Sequence, residues 1–269
     1  MFHDLPKRAR RLAGCAILVS VLWAPGAHAQ SSVRMSQANT SDGSDDHVII
    51  GAGVSYAPTY QGSNDYRVLP LPALDVDLGP FYANLRNGIG VKVINTGGVT
   101  IGGGVAIMPG YRAKDVPEGV GKLSWGVGGR MFASVAQGGV VATIGATKGF
   151  SGGTEGFVAD ASISYPVAVT PRLMVIPSVG TTWADSKYND RYFGIDAEQS
   201  LASGLAQYKA GSGFKDASAL LTASYRLTDR ITLGISGGVT TLLGDAKDSP
   251  IVESKTQPTG FLTMGYRFR

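Results

Sequence analysis

The stretch Gln257 to Arg269 closes the chain on a strict alternation. Leu262, Met264, Tyr266 and Phe268 fall on one face, and Thr263, Gly265 and Arg267 on the other, which is the period of a β-strand with one apolar side. A final strand must pair with something, because each of its edges carries N–H and C=O groups that need partners. In a soluble sandwich it is the last strand of a sheet. In a membrane β-barrel it pairs with the first strand, since hydrocarbon offers nothing to a bare backbone edge. The stretch alone suits both folds.

The N-terminus separates them. Lys7, Arg8, Arg10 and Arg11 form a basic patch, an apolar run follows from Leu12 to Ala24, and Ala27-His28-Ala29 precedes Gln30 in the small-x-small form of a signal-peptidase site. Residues 1–29 therefore read as a cleaved signal peptide of an exported protein, cut near Ala29-Gln30. The run of about 13 residues is too short to cross a bilayer as a helix. Leu12-Ala13-Gly14-Cys15 spells a lipoprotein box, but it lies in front of the apolar run instead of behind it.

Removing that segment changes the charge. It holds four of the 24 basic residues and one of the 20 acidic ones, which leaves 20 against 19. The balance gives no support to a nucleic-acid partner. The only cysteine, Cys15, leaves with the signal peptide, so the mature chain has no disulfide or thiolate chemistry, and His47 is its one histidine. Beyond residue 30 no apolar run is long enough for a transmembrane helix. Residues 30–46 are polar and Ser-rich, and read as a flexible N-terminal periplasmic arm.

Residues 47–269 read as an all-β, antiparallel up-and-down barrel of the outer membrane. Strands are expected near 47–57, 66–78, 81–87, 88–95, 98–109, 121–136, 139–150, 155–168, 172–184, 215–227, 230–242 and 258–268. Their faces alternate: Val105 and Ile107 against Gly104 and Ala106, Leu123, Trp125 and Met131 against Ser124 and Arg130, Ile235 and Val239 against Ser236 and Thr240. Each strand has one lipid-compatible face and one small or polar face. The joints at Asn95-Thr96-Gly97, Gln137-Gly138, Thr170-Pro171 and Thr228-Asp229 are short and share one side. The long joints at 58–65, 110–120, 185–214 and 243–257 share the other, the outer-membrane pattern of short periplasmic turns and longer outer loops. This parity requires a hairpin break at Asn87-Gly88, which gives twelve strands, with ten as the alternative.

Several motifs resemble the MipA/OmpV family, proteins named for interacting with the murein hydrolase MltA. They are Pro58-x-Tyr60-x-Gly62-Ser63 with Tyr66; Leu69-Pro70-Leu71-Pro72; Tyr192-Phe193-Gly194-Ile195 with Ser200, Ser203-Gly204-Leu205 and Tyr208; Leu242-Leu243-Gly244-Asp245-Ala246 with Ser249-Pro250; and Gly265-Tyr266-Arg267-Phe268. Tyr266 and Phe268 also look like the C-terminal signal by which outer-membrane barrels are recognised for assembly, except that Arg269 follows the aromatic residue. The resemblance implies a non-enzymatic scaffold that brings a periplasmic lytic transglycosylase and a bifunctional penicillin-binding protein together in cell-wall assembly. Other members are treated as porin-like or as adhesins. A narrow channel for small solutes is the alternative, because twelve strands leave a lumen either filled by side chains and an inward loop or just open.

No catalytic, cofactor or metal site stands out. Outer-membrane hydrolases use a histidine base, and His47 sits at the periplasmic start of the first strand, where a solvated or interfacial role is expected. Arg130, Asp160, Arg226 and Arg267 fall on polar faces, as lumen ion pairs or as a selectivity ring. In loop 185–214, Asp196 and Gln199 have the spacing of a helix cap, and a helix over 197–208 would carry Leu201, Leu205 and Tyr208 on one stripe. That loop, with Tyr192, Phe193, Leu201, Leu205 and Tyr208, is expected to restrict the barrel mouth. Pro70 and Pro72 remove two N–H donors from one seam of the second strand. A local opening or bulge is expected at Leu69 to Leu71, serving as a partner notch or as a strand bend.

Overall fold

The computed structural model describes residues 46–268. The segment read as a signal peptide, nearly all of the segment read as an arm, and Arg269 lie outside these residues. The strands are His47–Pro58 (β1), Tyr66–Leu78 (β2), Phe81–Asn84 (β3), Gly88–Thr96 (β4), Val99–Met108 (β5), Gly126–Gln137 (β6), Val140–Ser151 (β7), Phe157–Ser164 (β8), Val167–Ala168 (β9), Leu173–Ala184 (β10), Gly213–Arg226 (β11), Ile231–Leu242 (β12) and Thr256–Arg267 (β13). β8 and β9 are two pieces of one strand interrupted at Tyr165-Pro166, and both pair with β10. The wall therefore has twelve staves.

Each stave pairs antiparallel with its neighbours in sequence, and β13 pairs with β1 from Ile49↔Arg267 to Tyr56↔Gly260. The sheet is closed, and the terminal strand finds its partner in the first. Ile50, Val54, Val68, Val105, Ile107, Met131, Ile235, Leu262 and Met264 are exposed on the outside and form the apolar belt of a membrane barrel. Ser55, Thr143, Thr222, Ser236, Thr240 and Gln257 are buried inside. Short turns at residues 79–80, 97–98, 138–139, 169–172 and 227–230 share one rim, the periplasmic one. The joints 59–65, 109–125, 152–156, 185–212 and 243–255 share the outer rim. Among the described residues no helix is long and apolar enough to cross a membrane.

Two expectations change. The strand read over 121–136 begins only at Gly126, because Leu123 bridges to Tyr111 and is buried among the outer loops instead of facing lipid. The hairpin read at Asn87-Gly88 exists, with its turn over 85–87 and Gly88 at φ +78°. Its first strand, however, is only the four residues Phe81–Asn84, where about nine to eleven are needed to cross the bilayer.

The tip of this hairpin turns inward. Leu85 packs against the lumen cluster of Ala57, Leu71, Leu220 and Phe261. Arg86 donates to Ser162 on β8, and Asn87 is held by Arg130 on β6 (3.1 Å). The wall consequently loses a stave above the tip. β2 pairs with β3 only from Asp75 to Leu78, so between Tyr66 and Ala73 no strand among the described residues pairs with it on that side.

The parity of β2 decides what faces the missing stave. Thr59 N–H donates to Asp65 C=O at the top of the β1–β2 ladder (2.9 Å), whose register runs Pro58↔Tyr66 to His47↔Asp77. Odd-numbered residues of β2 therefore turn their N–H and C=O to β1, and even-numbered ones turn them away. Pro70 and Pro72 are even. Their missing N–H groups face the side without a strand, the place where a sheet tolerates proline, and the ladder with β1 runs unbroken through Leu69, Pro70 and Leu71.

Candidate functional site

The largest buried apolar cluster is not in the lumen but at the outer mouth. Tyr60 from the first loop, Tyr111, Val116, Val120 and Leu123 from 109–125, Tyr188, Tyr192, Phe193 and Ile195 from 185–212, and Ala246 and Ile251 from 243–255 pack together above Met108, Val158, Ala184 and Leu242 at the strand ends. Loops that merely connect would be polar. Here four of them share a core.

Its centre is helix α1, Ser186–Phe193. Asp185 caps it by accepting from Tyr188 N–H (2.8 Å). Tyr188, Asn189, Tyr192 and Phe193 are its buried residues, spaced as one face of a two-turn helix. The Tyr188 and Tyr192 rings stack 6.0 Å apart, Tyr192 meets Tyr111 edge to face at 5.3 Å, and Tyr111 leans on Tyr60 at 6.1 Å, all within the range of favourable aromatic pairs.

Polar atoms in this core are tied across loops. Tyr60 Oη donates to Ile251 C=O (2.6 Å), Tyr192 Oη accepts from Gln61 N–H (3.1 Å), Ser249 Oγ donates to Phe193 C=O (2.5 Å) and Asn189 Nδ2 donates to Gly211 C=O (2.8 Å). Gln257, fully buried on β13, accepts from Gly62 N–H (2.9 Å) and donates to Ser63 C=O (2.7 Å). Burial pushes the Tyr111 phenol up to about 12, and it also raises the Tyr60 and Tyr192 phenols. The phenols thus stay neutral at physiological pH.

An ion pair lies beneath the cap. The β10–β11 register slips between Thr182 and Trp183, pairing Thr182 with Asp216 and Trp183 with Phe214. Lys215 is the extra residue of this bulge, so Lys215 and Asp216, consecutive in sequence, are both buried. Lys215 Nζ lies 2.5 Å from Asp216 Oδ2 and 2.9 Å from Gln61 Oε1, and 5.9 Å from the centroid of the Tyr188 ring. The first loop and α1 are thereby fastened to the wall.

A second polar layer crosses the lumen lower down. Arg130, with no exposed side-chain surface, grips Asp160 through two bonds of 2.6 and 3.0 Å and also donates to Thr147 and Asn87. Gly145 opposite has no room for a side chain, since a Cβ there would come within 2.4 Å of the guanidinium. Lys92 pairs with Asp77 at 2.5 Å, and His47 Nε2 lies 3.4 Å from Asp75. Of the charges read onto polar faces, Arg130 and Asp160 form a lumen pair, whereas Arg226 and Arg267 are exposed at the periplasmic rim.

The residues singled out in the sequence separate. Tyr192 and Phe193 sit at the centre of the cap, and Leu205 and Tyr208 lean on its edge. Leu201 does not join them, being 90% exposed. The capping box of Asp196 and Gln199 does start a helix, but this α2 is only Ala197–Ser203, because Gly204 ends it in the left-handed conformation at φ +74°. Leu205 and Tyr208 therefore fall outside it and no stripe forms. Pro70 and Pro72 lie exposed in the outer half of the wall, and His47 is buried instead of solvated. Sequence reasoning missed that Tyr192 and Phe193 lie on a helix, held Tyr60 only as part of a family motif, and missed Tyr111 and the Lys215–Asp216 pair; the signal available was the concentration of tyrosines in segments that should have been polar connections.

A family model described as MltA-interacting protein MipA matches residues 50–268. The chain belongs to the MipA family. The putative outer membrane protein YiaT of Escherichia coli (strain K12) is 29% identical over 115 residues, covering 43% of this chain and 46% of that protein. The 24 kDa outer membrane protein of Pasteurella multocida (strain Pm70) is 31% identical over 120 residues, covering 43% and 45%. These matches span less than half the length of the curated relatives. Among solved structures, the NanC porin aligns over 81% of this chain and 98% of its own at 10% identity with a TM-score of 0.45, and the KdgM porin over 82% and 99% at 8% identity with a TM-score of 0.43. The membership and the lipid-facing belt together make the chain an outer-membrane barrel of the MipA type.

Proposed function

We propose that this barrel is a non-enzymatic scaffold of the outer membrane, exported by a cleaved signal peptide, that brings a periplasmic lytic transglycosylase and a bifunctional penicillin-binding protein together in cell-wall assembly. The observation that carries this reading is the closure of the mouth: a porin needs an open path, and here an apolar core built from four loops occupies its place. The Arg130–Asp160 layer and the inward tip of the β3–β4 hairpin obstruct the lumen again below it. The family description, MltA-interacting protein, supplies the partner class.

The periplasmic turns are short, so residues 30–46, with Asp42, Asp45 and Asp46, are the contact with the greatest reach. Pro70 and Pro72 are set apart from that rim by their place in the outer half of the wall.

Two measurements test the reading. Refolded protein in planar bilayers should show no stable conductance, and murein hydrolase should be captured from periplasmic extract by the mature chain but not by a chain starting at Asp45. A steady single-channel current together with failure to capture the hydrolase would replace the scaffold by a narrow solute channel. Capture undiminished by the truncation would move the contact from the arm to the periplasmic turns.

A further inference from the structure

Among the described residues the wall lacks a stave beside the outer part of β2, and what borders this side opening in the ladder identifies what can enter. Below, it is bounded by the turn over 85–87, and on one flank by the edge of β2 between Tyr66 and Ala73, where no strand pairs. On the other flank β5 continues only to Met108 above its last pairing with β4, Val105↔Ile89. The residues around it are lipid-facing: Val68 is 64% exposed, Pro70 and Pro72 are exposed, and Val105 and Ile107 are exposed on β5. The opening thus lies within the apolar belt and not above it.

Behind it the lumen holds an apolar cluster. Leu71, Leu85 and Phe261 belong to a cluster separate from the mouth cap. An ordinary small barrel has a largely polar interior.

We propose that this opening is a lateral port, through which an acyl chain of a surrounding bilayer lipid enters the barrel and lies against Leu71, Leu85 and Phe261. Two observations favour a hydrocarbon chain over a peptide. A strand adding to the edge of β2 would find N–H donors at Tyr66 and Val68 and then two consecutive outward-turned positions, Pro70 and Pro72, with none, so no continuous ladder can form. The prolines leave carbonyls alone at those positions, and a backbone C=O without a partner is better tolerated than an N–H. The mouth is also sealed by the cap, so the route from the belt to the lumen cluster is sideways. The proposal is independent of the scaffold reading, since a barrel with no periplasmic partner could hold a lipid in this way.

The test places the photoreactive residue p-benzoylphenylalanine at Leu71, Val68 or Thr143 in the full-length protein, irradiates native outer-membrane vesicles, and identifies adducts by mass. Val68, on the lipid face, reports ordinary contact with the bilayer, and Thr143, buried on β7 where the ladders are complete, reports background. A lipid adduct at Leu71 in yield comparable to Val68, and absent at Thr143, is the expected result. Loss of the adduct at Leu71 while it persists at Val68 overturns the port. Folding is checked by heat-dependent electrophoretic mobility. If the variant at Leu71 does not fold, the same probe at Phe261 reaches the cluster from β13, and the presence or absence of its adduct decides the question in the same way.

Discussion

At the scale of single residues, the lumen charge is held by geometry that one atom can spoil. Arg130 is completely enclosed and its guanidinium occupies the space that Gly145 leaves. Replacing Arg130 with methionine strands the Asp160 carboxylate, and breaking such a buried pair from one side costs about 3–5 kcal/mol. Urea unfolding in lipid vesicles should show a loss of that order for Arg130→Met. Gly145→Ala should destabilise as well, by pushing the guanidinium out of place, and Arg130→Met combined with Asp160→Leu should recover much of the loss. The cap phenols set a different limit. Burial favours the neutral form of Tyr111, so its contribution is complete below pH 10.0, the ordinary value, and is lost as pH rises toward about 12. Phenolate absorbance of the folded protein should therefore include a late-titrating class between those limits, and heat resistance should fall over the same interval. A single transition at the ordinary tyrosine value would mean that the cap is open in solution.

Among the elements, the two helices of the longest loop have opposite standing. α1 buries Tyr188, Tyr192 and Phe193, whereas α2 buries nothing. Deleting residues 197–203 should leave conductance and heat resistance close to those of the parent, while the double change Tyr192→Ala and Phe193→Ala, which removes two rings from the centre of the cap, should cost several kcal/mol if additive and give current fluctuations in planar bilayers. The sequence pointed to the wrong helix for a physical reason. A capping box is a local signal, legible in four residues, while the face of α1 gains its stability from rings contributed by other loops. The open side of β2 has a related lesson. The loss of two donors was legible at Pro70 and Pro72, but which neighbour they faced depended on parity, and parity depended on where the first hairpin turned. Valine at both positions would not add ladder bonds, because its N–H groups would face the side without a strand. Pro70→Val with Pro72→Val should accordingly give no gain in heat resistance, and the restored donors should promote association of copies edge to edge, visible as concentration-dependent dimers in detergent.

For the molecule as a whole, the alternation of side chains together with the N-terminal segment, the turn lengths and the Asn87-Gly88 turn signal foresaw the closed sheet, its twelve staves and its two unlike rims, because period-two patterning and turn length are properties of consecutive residues. The inward bend of the β3–β4 hairpin was not legible. It follows from contacts of Leu85, Arg86 and Asn87 with β2, β6, β8 and β13, none of which leaves a mark on neighbouring residues in the chain. The ring itself carries a temporal consequence. Its last seam joins Ile49 to Arg267, so a chain delivered from its N-terminus can form every earlier hairpin and still lack a shut wall until its final residues arrive. Bringing together ends about 200 residues apart costs roughly 5 kcal/mol of chain entropy before that seam returns anything, although hairpins already formed shorten the effective loop. Until then both β1 and β13 present bare edges to whatever surrounds them. Assembly of this protein is thus decided at its last step, and a chain stopped after Leu242 should accumulate as unclosed, protease-sensitive sheet in the periplasm and not as a smaller barrel in the membrane.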